Sequence, residues 1–189
     1  AAYCRAEEVL LPSGSAAMYR RDMLDEIGLF DKEFFLYCED TDLGLRARWA
    51  GWRCVYVPEA IVEHRYSQSA GRASPLKAYY VERNRLFVIA KCFPAGALLR
   101  AAAAAPVRYF WHAVFLLRGR GAAAGFRREG RSGMRLVWYV LRAHLALAAA
   151  LPRLLRQRSA VRRKAKIGAA EFGALLREFS ISLRKVAAL

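Results

Sequence analysis

An α/β unit followed by a strongly basic α-helical tail is the fold class that the sequence predicts, and three observations carry it. Hydrophobic residues make up 56% of the 189, ample for a packed core. Charge is divided unevenly: residues 1–94 hold 13 Lys/Arg and 13 Asp/Glu, whereas residues 95–189 hold 19 and 3, so the net charge of +16 lies entirely in the second half. The first half mixes aromatic, acidic and Gly residues as α/β units do, and the second is rich in Ala, Leu and Arg. Two segments with different tasks, 1–94 and 95–189, are therefore expected to meet near Pro94.

Residues 9–11 and 15–19 read as short strands around the turn Pro12-Ser13-Gly14, and Asp22 opens a short helix that stops at Gly28. An aromatic-rich loop, 30–37, leads into Glu39-Asp40-Thr41-Asp42, and residues 43–50 have helical spacing up to Gly51. The acidic cluster thus sits at a helix N-terminus, where carboxylates complement the exposed N–H groups and the positive end of the dipole. Residues 54–57 read as a buried strand ended by Pro58, and 61–64 as a second extended segment with His64 at its end. Ser74-Pro75 supplies an N-cap and first-turn proline for a helix through Tyr79, Tyr80, Arg83 and Leu86. Helices are expected from there to the end, broken at 119–121, around 130–133, at Pro152 and at Gly168.

Several function classes are excluded. The four cysteines, at 4, 38, 54 and 92, form no C-x-x-C pair, so neither a zinc site nor a disulfide framework is indicated, and reduced thiols fit a cytosolic setting. The apolar runs 109–117 and 143–152 are each bounded by arginine and are too short to span a bilayer. An EF-hand loop counted from Asp40 needs Gly at its sixth position and Glu at its twelfth, and the chain has Leu45 and Gly51 there. On residue types alone, an E-D-T-D before a helix reads as a cap, and a lone His as a surface or core residue.

Four stretches, taken together, say more. Gly14-Ser15-Ala16-Ala17-Met18-Tyr19-Arg20-Arg21, then Ile27-Gly28-Leu29-Phe30-Asp31, then Phe34-Phe35-Leu36-Tyr37-Cys38-Glu39-Asp40-Thr41-Asp42-Leu43, then Gly51-Trp52 with Val57-Pro58-Glu59-Ala60-Ile61-Val62-Glu63-His64 occur in order. In order and spacing they resemble bacterial family 2 glycosyltransferases of the rhamnosyltransferase-like group, of GT-A type. Ser67, Ser69, Gly71 and Tyr80-Val81-Glu82-Arg83-Asn84-Arg85-Leu86 extend the likeness to about Pro94.

The resemblance implies an inverting transfer of a sugar, possibly rhamnose in this group, from a nucleotide-sugar donor to a saccharide or lipid-linked acceptor in cell-envelope polysaccharide synthesis. Such a reaction needs a base for the acceptor hydroxyl and positive charge for the departing nucleoside diphosphate. The base falls on Asp40, with Glu39 as a positioning group and Asp42 as a helix N-terminal acid or orienting residue. His64 matches a histidine that joins D-x-D carboxylates around Mg²⁺ or Mn²⁺. Ser67, Ser69 and Arg72 fit either donors to phosphate oxygens or a polar surface turn. Arg83 and Asn84 fit either a diphosphate or acceptor contact or a pin between helix and sheet. Phe34, Phe35, Tyr37 and Trp52 are expected as core and cleft walls.

A complete GT-A enzyme places its nucleotide-binding half and D-x-D motif ahead of these motifs, so the chain is expected to be a fragment, inactive alone, with the main metal ligands elsewhere. Arg and Lys among Tyr109, Trp111, Trp138 and Tyr139 fit helices lying on an anionic membrane, which places the protein peripherally on the cytoplasmic face. The competing reading is a basic helical adaptor without enzymatic activity that binds anionic membrane or nucleic acid. No nucleic-acid motif supports specific binding of that kind.

Overall fold

The computed structural model describes residues 4–64, 74–130 and 132–188. Within them the chain is mostly helical, with one short antiparallel sheet. In that sheet β1 (Glu7–Val9) pairs with β2 (Cys54–Tyr56), Glu8 opposite Val55. The expectation of an α/β unit is met only to that extent. Residues 15–19, expected as a strand, form none, a turn closing from Ala16 N–H to the Ser13 carbonyl; of the strand or extended edge expected at 61–64, no strand forms, and no neighbouring strand among the described residues pairs with either segment. Extended backbone without a ladder partner does not become a strand. The sheet itself is pinned by Arg48, which is buried and donates to the Leu10 and Val9 carbonyls and to Glu8.

Helix α1 (Arg21–Ile27) ends at Gly28, whose φ of 84° suits glycine. Helix α2 (Glu39–Trp49) takes the whole acidic cluster into its first turn and is buried from Asp42 onward. One side of it meets Leu11 at Gly44, where an added Cβ would overlap the Leu11 side chain. Another side places Leu43 and Ala47 against Met23 and Ile27 of α1. Helix α3 (Pro75–Cys92) begins as its sequence predicts, with Ser74 Oγ accepting from Lys77 N–H at 3.1 Å and Pro75 in the first turn.

The second half contributes α4 (Ala95–Leu117), α5 (Gly121–Arg128), α6 (Gly133–Arg163), α7 (Ala169–Glu178) and α8 (Leu183–Ala188). Three of the expected breaks are present; the fourth is not, because α6 runs through Pro152. Proline removes one hydrogen bond and crowds the preceding turn. Packing of the flanking turns outweighs that cost here: Leu154 is buried and Ala150 packs on the same cluster. The run 143–152, short by itself, lies within this longer helix, and α6 is long and apolar enough to cross a membrane by length and composition. Arg142 and Arg153 lie within it.

One core draws on both sides of Pro94. Phe34, Leu45, Trp49, Phe87 and Val88 meet Leu154, Val161 and Phe172 from α6 and α7. Trp49 shows how tightly: its ring stacks on Phe172 at 4.0 Å, the Arg162 guanidinium lies 3.3 Å from its centre, and its indole N–H donates to the Cys92 carbonyl at 2.8 Å. Cations of the tail are consumed in the same way. Arg158 donates to the Ala90 and Phe93 carbonyls, Lys164 to the Glu26 carbonyl, and Lys166 pairs with Glu26. Several cations between 153 and 166 are thus engaged with the first half of the chain.

Candidate active site

Asp40 sits in the first turn of α2, half-buried, and both of its carboxylate oxygens are oriented by the chain. Oδ2 accepts from the Gly14 backbone N–H at 2.8 Å; Oδ1 accepts from the Thr41 backbone N–H at 2.6 Å and from the Thr41 hydroxyl at 3.2 Å. Glycine at 14 is needed for this approach. A Cβ there would lie 3.2 Å from both Asp40 Cβ and Oδ2. The turn 13–16 thus serves Asp40, a role that the sequence did not disclose beyond the Gly-Ser pair at the start of the motif.

Two polar atoms beside Asp40 are buried with no partner among the described residues: Glu39 Oε2 and the Tyr19 hydroxyl. Burial, then the charges of Asp40, Cys54 and Glu39, push the Tyr19 pKa up, so this hydroxyl keeps its proton beside the carboxylates. Cys38, which precedes them, is pushed up to about 12 by burial and then by Asp40 and Glu39, so it stays a thiol and is no nucleophile. Asp42 faces the opposite way. It is fully buried, bonded to Arg46 Nε and Lys91 Nζ at 2.8 Å each, and Arg46 in turn caps α1 through the Ile27, Gly28 and Leu29 carbonyls. Asp42 is therefore a structural acid that fixes α2 to α1 and α3.

The loop that delivers Glu39 and Asp40 is strained. Phe35, Tyr37 and Cys38 all have φ between 58° and 67°, a region costly for residues with a Cβ. Asn84 holds it, its buried amide Nδ2 lying 2.7–2.8 Å from the Phe34, Leu36 and Tyr37 carbonyls. Of the two roles open for Arg83 and Asn84, the pin is the one with visible contacts. Arg83 donates to the Glu33 carbonyl and lies over the Tyr80 and Phe87 rings, at 4.9 and 4.8 Å. Phe34 is core, while Phe35 is exposed and leans on Tyr80 at 5.3 Å. Trp52 donates its indole N–H to Glu26 and packs on the α1–α2 cluster.

His64 is exposed at the end of the extended segment after β2. Among the described residues no group of three or more His, Cys, Asp or Glu is placed to hold a metal ion. One imidazole does not fit a Mg²⁺ or Mn²⁺ centre by itself. Ser67, Ser69 and Arg72 lie outside the described residues. Among the open cavities at the described residues are ones of about 240, 400 and 340 Å³. Asp40 lines none of these three, though its neighbours Cys38 and Thr41 line the third.

Asp40 is thus a half-buried carboxylate held by backbone N–H groups at a helix start, with two buried polar atoms beside it that have no partner among the described residues. In class, residues 2–87 match the family model described as glycosyltransferase like family 2. Over 70 residues the chain is 47% identical to the N-acetylglucosaminyl-diphospho-decaprenol L-rhamnosyltransferases of Mycobacterium tuberculosis strains CDC 1551 / Oshkosh and ATCC 25618 / H37Rv. That alignment covers 36% of this chain and 23% of each relative, so the match spans about a quarter of the relatives' length. No solved structure matches the chain.

Proposed function

We propose that residues 1–94 form the acceptor side of a GT-A inverting glycosyltransferase and that Asp40 is its general base. The observation that carries this reading is the lone-pair inventory at Asp40. Each carboxylate oxygen has about two acceptor sites. Oδ1 already receives two donors and Oδ2 one, which leaves Oδ2 to accept the hydrogen of an acceptor hydroxyl. As that hydroxyl attacks the anomeric carbon from the face opposite the nucleoside diphosphate, its proton passes to Oδ2. Glu39 Oε2, buried and without a partner, is suited to hold a second hydroxyl of the acceptor. The Tyr19 hydroxyl is suited to donate to an acceptor oxygen.

The relatives' names carry rhamnose as the sugar and N-acetylglucosamine on a diphosphate-linked decaprenol as the acceptor. The corresponding reaction here is rhamnosyl transfer to a lipid-linked saccharide in cell-envelope synthesis. A divalent metal would neutralise charge on the donor diphosphate, with His64 as one ligand and its other ligands outside the described residues. The segment holding Ser67, Ser69 and Arg72 belongs to the phosphate-facing side of this reading. Residues 95–189 would bring the enzyme to the cytoplasmic face of the membrane. That role is supported by the exposed Val137, Trp138, Leu141, Leu145 and Leu155 along α6.

Transfer of rhamnose from nucleoside-diphosphate rhamnose to N-acetylglucosaminyl-diphospho-prenol, assayed with the complete gene product, tests this function. A labelled disaccharide-lipid is the expected product. Binding of acidic vesicles with no transfer from any nucleotide-sugar would favour the basic adaptor instead.

A further inference from the structure

We propose that the cavity between α3 and α6 is a binding site for a phosphate or diphosphate ester, with Arg83 and the tail residue Arg153 as its guanidinium donors. This site stands apart from Asp40 and does not depend on its role. The cavity is an open groove of about 400 Å³, and three alanines of α6, at 146, 149 and 150, leave its space free. Two guanidiniums meet over a single ring, Arg83 at 4.8 Å and Arg153 at 5.8 Å from the centre of Phe87. A third, Arg142, lies 4.4 Å from the centre of Tyr79, another lining residue.

Against these three cations the cavity has one carboxylate, Glu33. Arg153 pairs with it through Nη1, and Arg83 donates to its backbone carbonyl. The local balance stays positive. The Nε–H groups of both Arg83 and Arg153 are buried and have no partner among the described residues. Two unmet charged donors are costly to keep, and a ligand with several acceptor oxygens relieves both at once. Guanidinium planes converging from two helices suit the oxygens of a phosphate better than a single neutral acceptor.

The other two cavities lack this combination. Near Asp31 the cations Arg46 and Lys91 are already matched by Asp31 and Asp42, and Lys164 donates to the Glu26 carbonyl. Near Thr41 the lining is almost wholly apolar, and its single cation, Arg85, is paired with Glu82. Beside the α3–α6 cavity, Leu145 lies one turn before Ala149 on α6, and Trp138 and Leu141 precede it; all three are exposed. An apolar chain attached to the ester has a surface to follow.

The test uses the complete gene product without divalent metal, which silences a metal-dependent donor site. Inorganic diphosphate is titrated calorimetrically in one arm. In a second arm, neutral phosphatidylcholine vesicles with and without a prenyl monophosphate are sedimented with the protein. Arg153→Gln should weaken binding at least tenfold in whichever arm binds, whereas Arg156→Gln, which removes an exposed charge from the same helix, should leave it within twofold. Binding of soluble diphosphate identifies a free anion as sufficient, and binding only to prenyl-phosphate vesicles identifies a lipid-borne one. Equal losses in the two variants, or no binding in either arm, overturns the proposal. Should Arg153→Gln fail to fold, Glu33→Gln gives the converse: removing the competing carboxylate should tighten binding several-fold, and unchanged or weaker binding contradicts the site.

Discussion

Gly14 and Asp40 are 26 positions apart, and the backbone of one orients the carboxylate of the other. The approach is tight because position 14 lacks a side chain. A methyl group there meets Asp40 Cβ and Oδ2 at 3.2 Å, closer than ordinary contact, so the carboxylate must shift by a few tenths of an ångström. Misplacing a reacting group by such amounts is enough to slow a reaction that depends on alignment. Gly14→Ala in the complete gene product should therefore lower kcat by about ten- to a hundredfold. Its melting temperature should fall by only a few degrees, because Gly14 is exposed; a large loss of stability with unchanged kcat would show that the turn merely supports the fold.

The elements that carry the site were partly legible beforehand. Ser74-Pro75 and the acidic run at 39–42 announce helix starts because capping is local chemistry, readable from neighbours in sequence. The proposal of Asp40 as base comes from the resemblance in motif order, whereas its placement at a helix N-terminus was visible from the residues themselves. What stayed hidden depends on distant partners. Strand formation at 15–19 and 61–64 failed for want of a ladder, α6 continued through Pro152 because Leu154 and its neighbours are packed, and Arg153 gained its cavity only from the crossing of α3 by α6. Asn84 belongs to this hidden class too, since its three carbonyl acceptors lie 47 to 50 residues upstream. Removing its amide takes this donor from the Leu36 and Tyr37 carbonyls, leaves the Phe34 carbonyl with the Leu36 N–H alone, and lets the strained 35–38 loop relax. Asn84→Ala should cost about 2–3 kcal/mol in chemical denaturation and reduce transferase activity more than the loss of folded protein explains. Equal activity per folded molecule would detach the loop from catalysis.

At the scale of the molecule, the two halves are tied by buried charge as well as by the Trp49–Phe172 stack. Glu82 of α3 is held by Arg85 and by Arg108 and Tyr109 of α4, at 2.6, 2.9 and 2.6 Å. Burial alone would raise its pKa, but the hydrogen bond and charge of Arg85, with Arg108 and Tyr109, overcome it and hold Glu82 at about 2. A carboxylate lowered on folding stabilises the folded state above its unfolded pKa, and that contribution is lost as pH falls toward the folded value. The fold should therefore lose stability between about pH 5 and pH 2. In Glu82→Gln that slope should be shallower, with lower stability at pH 7, as followed by urea denaturation across pH; an unchanged slope would place the acid sensitivity elsewhere.

These scales converge on whether the oxygen left open at Asp40 takes the acceptor's proton. The direct measurement is the rate of sugar transfer by Asp40→Asn in the complete gene product at saturating donor and acceptor. Asparagine keeps the size of the group and an oxygen for one backbone donor but cannot accept the proton, so kcat should fall by about 10²–10⁴-fold with KM little changed. A kcat within a few-fold of the wild-type value would contradict the account.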